Sequence, residues 1–131
     1  MNKLMRLTSR LLLAFSSLCL VVGGVMHAMS FPKAATVADQ STLPTLFAAA
    51  FKGLWLFHSI NSIAFGLAFG SIAAFPGIAS GLLVMLLACA PLAAAVAVFA
   101  TMGNFLPGYV MLVAGAAAFM GGALHRRVNL G

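Results

Sequence analysis

Charge is what this chain lacks most. Of 131 residues only 6% are Asp, Glu, Lys or Arg, and one acidic residue, Asp39, stands against seven basic ones. A soluble domain carries roughly a quarter charged residues, so water is not the solvent for most of this chain. A lone carboxylate also excludes two-carboxylate hydrolysis, and no acid lies inside an apolar run to drive cation-coupled export. Neither a GxSxG elbow nor a Walker loop occurs, which removes the usual nucleophile and phosphate-cradling layouts. Ser59 follows His58 directly, about 100° around a helix, and does not form a nucleophile pair with it. Nothing in the sequence points to an enzyme.

Cysteine is scarce as well. Cys19 and Cys89 sit in apolar runs without a CxxC, so no disulfide framework is readable, and each is expected to be a small buried hydrophobe. The net charge of +6 does not mark a nucleic-acid binder, because the basic residues lie at the chain ends or between apolar runs with no aromatic-interleaved groove.

What the chain has in excess is hydrocarbon, with 63% of residues hydrophobic. Apolar runs of roughly 20 residues recur, each long enough to span about 30 Å. They are expected at 11–29, 51–75, 78–101 and 109–124. The fold class is therefore an all-α integral membrane protein, a single transmembrane domain built as an up-down bundle of four helices. Met1 to Gly24 resembles a secretory signal peptide, but the apolar run continues to Met29, beyond a signal core of roughly 7 to 15 residues, and is expected to stay as the first helix. Lys3, Arg6 and Arg10 precede that helix and Arg126 and Arg127 follow the last. Under the positive-inside rule both termini are cytoplasmic, which places the chain in a bacterial inner membrane.

Between the first two runs lies Ser30 to Pro44, the one polar connection of any length. It is expected to be an extracytoplasmic loop, with Ser41 or Thr42 capping the next helix. Lys52 and Trp55 suit the headgroup boundary. The turns at Phe75 to Gly77 and Asn104 to Gly108 are short, which favours antiparallel neighbours, and Pro91 is expected to kink the third helix. Small residues mark the helix contacts: Gly23 and Gly24 on the first helix, Gly66 and Gly70 on the second, Gly122 on the fourth.

Polar groups gather toward the extracytoplasmic end. His58, Asn61 and Ser62 share one side of the second helix, continued by Gly66 and Gly70. His27 near the end of the first helix belongs to the same leaflet, and Tyr109 begins the fourth. Three readings remain open. The first is a non-catalytic subunit or interaction module, its His/Asn/Ser cluster meeting other membrane subunits or further copies of the chain within the lipid bilayer. The second is a redox protein in which His27 and His58 ligate haem b or, with Met26, Met29 or Met102, copper. The third is a small oligomeric transporter or channel.

Overall fold

The computed structural model describes residues 2–129 and is helical with no strand among them. Its elements are α1 (Asn2–Met29), α2 (Phe31–Asp39), α3 (Thr45–Ala74), a single 3-10 turn (Pro76–Ile78), α4 (Gly81–Met102) and α5 (Leu106–Asn129). Among the described residues, four helices are long and apolar enough to cross a membrane: Lys3–Met29, Thr45–Ala74, Gly81–Met102 and Leu106–Arg127.

Several boundaries differ from the sequence expectation, among them the start of α3 at Thr45 rather than residue 51 and the extent of α5, Leu106–Asn129 rather than 109–124. The first helix starts at Asn2 rather than residue 11, because Lys3, Leu4, Met5 and Arg6 are good helix formers with no Gly or Pro among them. The expected loop after Ser30 contains α2 instead. Pro32 falls in its first turn, where the missing N–H costs nothing, and Ala34, Ala35 and Ala38 favour continuation. Capping of α3 also differs: Pro44 takes the N-cap position with no side-chain bond, while Ser41 Oγ donates to the Ala38 carbonyl at 2.7 Å and closes α2. Lys52 meets Asp39 at 2.6 Å, an exposed pair that links α2 to α3; exposed pairs of this kind add little stability.

The four long helices, α1, α3, α4 and α5, alternate in direction. At one end Ser9 Oγ donates to the Gly121 carbonyl at 2.7 Å, Arg10 Nε to Ala73 at 2.8 Å, and His125 Nε2 lies 3.1 Å from the Ala79 carbonyl. The end of α1 meets α3 and the start of α5 at the other, where Gly24 lies against Ser59 and Gly23 against Val110.

The lateral order, however, is not the chain order. α1 packs along both α3 and α5, and α5 packs along α4, whereas α3 and α4 scarcely touch. The expectation that the short turn makes α3 and α4 neighbours is therefore wrong along most of their length. A turn fixes only the helix ends, and close packing within hydrocarbon follows small residues. A Cβ on Gly66 would stand 2.7 Å from Val21 Cγ2 and 3.0 Å from the Ser17 carbonyl, and one on Gly24 would meet Ser59 and Ile63 backbone. Gly81 and Gly122 bring α4 and α5 together, and Gly121 seats Leu13 of α1 on α5. Among the described residues no glycine bridges α3 and α4.

Leu13 and Leu20 of α1, Phe69 of α3, Val84 and Ala88 of α4 and Ala114 and Ala118 of α5 are buried between these helices. Leu18, Leu67, Leu86 and Val96 face outward. Cys19 is half-buried, and Cys89 lies exposed on α4 rather than in the core. α4 continues as one helix through the buried Pro91.

Because the α1–α3 contact depends on absent side chains, Gly66→Leu should lower unfolding free energy in detergent by about 1–3 kcal/mol, an overpacking cost. Gly53→Leu on the same helix, where no atom lies within 4 Å of an added Cβ, should leave the denaturant titration nearly unchanged.

Candidate functional site

Helical spacing places Trp55, Ser59, Ser62 and Gly66 of α3 toward α1, with Ser59, Ser62 and Gly66 buried. His27 of α1 is received by this face. Its Nδ1 lies 2.9 Å from Ser59 Oγ, and Ser59 Oγ in turn lies 3.0 Å from the Trp55 carbonyl. Trp55 Nε1 donates to the His27 carbonyl at 2.8 Å while its indole stacks on the imidazole, with centroids 4.1 Å apart and planes 17° from parallel. His27 is thus held by a ring face, a hydroxyl and its own carbonyl. The lone hydroxyl hydrogen of Ser59 serves either Trp55 or His27, and serving His27 requires the tautomer that leaves Nδ1 as acceptor.

His58 joins this arrangement from the side. Its ring meets His27 edge to face, at 5.0 Å and 70°. The two imidazoles are therefore in direct contact. That contact does not suit a haem sandwiched between them: iron held from opposite sides by bonds of about 2 Å would drive the rings farther apart than this. Met26, Met29 and Met102 lie exposed on the helix surfaces, and among the described residues no group of three or more His, Cys, Asp or Glu converges.

Where α3 and α4 separate, the bundle opens into a groove of about 380 Å³. Leu54, Phe57 and Phe65 of α3 face Ala90, Pro91 and Ala94 of α4 across it, and Leu20 and Met111 lie between. In this apolar lining stand three polar residues, His58, Asn61 and Ser62. Ser62 is satisfied within its own helix, donating to the His58 carbonyl at 2.9 Å. Among the described residues, neither the Asn61 carboxamide nor the His58 ring makes a hydrogen bond. In hydrocarbon such groups cost free energy until a partner is found.

The remaining expected site residues separate from this group. Tyr109 is exposed on α5, donates to Asn104 Oδ1 at 3.1 Å and packs edge to face on Phe99. It does not line the groove. The polar groups at this end therefore form two sets, one on α1 and α3 and one on α4 and α5. Gly23, Gly24, Gly66, Gly70 and Gly122 all stand at helix contacts. From sequence alone, Ser59 was weighed only as a nucleophile beside His58, and Trp55 was treated as a boundary residue. Their spacing of four, continuing to Ser62 and Gly66, was the available signal that they share the α1-facing side.

No family model, curated protein or solved structure matches the chain. Its class therefore rests on architecture, and four apolar helices of this length are compatible with a small membrane protein.

If the hydroxyl link between His27 and Ser59 contributes as intramembrane hydrogen bonds do, a double-mutant cycle of His27→Ala and Ser59→Ala should give a coupling of about 0.6 kcal/mol. Reversible unfolding in micelles measures it, and strict additivity would show that the contact carries no energy.

Proposed function

We propose that this protein is a non-catalytic subunit of an inner-membrane complex, seated by the α3–α4 groove on a transmembrane helix of another subunit or of a second copy. Both termini are cytoplasmic in this reading. Its support is the gathering of Lys3, Arg6, Arg10, Arg126 and Arg127 toward one end of an antiparallel bundle, as the positive-inside rule requires.

One observation carries the docking reading: the Asn61 carboxamide and the His58 ring stand without hydrogen-bond partners in an otherwise apolar groove. A partner helix bearing a hydroxyl or amide supplies the missing donor or acceptor, and Ala90 and Ala94 leave room for close approach. Polar side chains in transmembrane contacts act as such links across helices, with each bond worth on the order of 1 kcal/mol. The groove is fit for recognition and holds no group placed for bond making or breaking.

Extracted in mild detergent, the protein should migrate as an assembly heavier than its 13.5 kDa chain. The paired substitution His58→Leu and Asn61→Leu should shift it to the single chain while helicity is retained. A wild-type monomer under the same conditions would contradict the proposal.

The edge-to-face contact of His27 and His58 favours a second reading, in which the two imidazoles hold one copper ion. Elemental analysis of the purified protein decides it. Stoichiometric copper lost in both His27→Ala and His58→Ala would establish the ligands, and copper bound equally by both variants would remove them.

A further inference from the structure

At the end opposite His27 and His58, a second cavity of about 590 Å³ opens between the start of α1, the α3–α4 turn and the end of α5. Arg6, Arg10, Pro76, Gly77, Ala79, Ser80 and His125 line it. We propose that this cavity binds the phosphate of an anionic phospholipid, whose headgroup enters between Arg6 and Arg10 and whose acyl chains lie along the exposed apolar side chains beside it.

The first argument is charge. The only acid in the sequence, Asp39, is paired with Lys52 on α2 and α3, at the other end of the bundle. Arg6 and Arg10 therefore have no carboxylate counterion within the described chain. Arg126 and Arg127 follow His125 on the same end and deepen the positive potential. Two guanidinium groups one helical turn apart, with no acid to neutralise them, make an anion the complementary ligand.

Geometry supplies the second argument. Arg10 is oriented by its Nε, which donates to the Ala73 carbonyl at 2.8 Å, and this leaves its two terminal nitrogens to serve a ligand. Ser80 Oγ accepts from Leu83 N at 3.2 Å as the cap of α4, so its hydroxyl hydrogen is available as a donor. His125 is buried in the wall with Nε2 against the Ala79 carbonyl, and with it holds the turn that forms the cavity floor. Polar recognition is thus built from α1 and the start of α4 around a concavity.

Position decides the source of the phosphate. The cavity lies at the ends of the four long apolar helices, at headgroup depth if those helices cross a bilayer. Leu7, Leu11, Ile78 and Leu82 are exposed around it and suit acyl chains. Basic pockets between transmembrane helices on the cytoplasmic side are suited to anionic headgroups. A soluble phosphate uses the arginines but gains nothing from that apolar border.

The test uses the full chain in nanodiscs of phosphatidylcholine, with and without phosphatidylglycerol, reading thermal stability and the lipid retained on mild delipidation. Phosphatidylglycerol should raise the unfolding temperature and be retained. Arg6→Ala should weaken retention roughly fivefold, as expected for one basic residue at a membrane surface. Arg10→Lys, which keeps the charge but not the guanidinium fork, should weaken it less than Arg10→Ala, and Lys33→Ala on α2 should match the wild type. Equal retention in wild type and Arg6→Ala would overturn the proposal. So would stabilisation by inorganic phosphate in pure phosphatidylcholine discs equal to that given by phosphatidylglycerol, which would identify a soluble anion as the ligand.

Discussion

The close approach of α1 and α3 is the constraint on which the rest of the structure depends. Hydrocarbon tails are as apolar as leucine, so helices within a bilayer gain little by burying leucine against one another and must gain by packing. Gly24 and Gly66 allow that packing: a Cβ on either would meet partner-helix backbone at 3.0 Å, while one on Gly70 would meet the Ser17 hydroxyl. With α3 committed to α1 along this seam, and α1 also held to α5 through Gly121 and the Ser9 bond, α1 becomes central. α4 then attaches to α5 at the far side, and the α3–α4 groove is the consequence.

The same seam creates the polar cluster. Bringing α1 onto α3 sets His27 against Trp55 and Ser59, where it is bonded and stacked, and against the edge of His58. His58 and Asn61, one step around α3 from the seam, are left facing the groove. The two histidines therefore have different standing. His27 is a packed and hydrogen-bonded element of the α1–α3 contact. His58 supports it with one edge and leaves its ring nitrogens without bonds.

Much of this was legible in the residues and some was not. Long runs of Ala, Leu, Val and Phe announced the four apolar helices, because length and apolarity alone set that expectation. The glycines were readable as contacts, though not which helix each one meets. Gly23 and Gly24 are adjacent in sequence yet face Val110 of α5 and the Ser59–Ile63 region of α3, respectively. Lateral order depends on such pairings, and loop length misleads where no glycine contact joins the two helices it connects. α2 was hidden because Pro32 reads as a breaker until it is placed in a first turn, where it is compatible with helix. His27 and His58 were assigned to one region by helix-length arithmetic. The stacked Trp55 and the bridging Ser59 came from the seam, whose register no local pattern specifies.

The central claim is that α3 and α4 stay apart and leave a lined groove between them. Spin labels at Phe57 of α3 and Ala94 of α4, which both line it, report the separation directly by electron paramagnetic resonance in lipid bilayers. Mobile labels with a separation clearly greater than that of a control pair across the α1–α3 seam are predicted. Immobilised labels with a separation as short as the seam's would show α3 and α4 packed together, and would contradict the account.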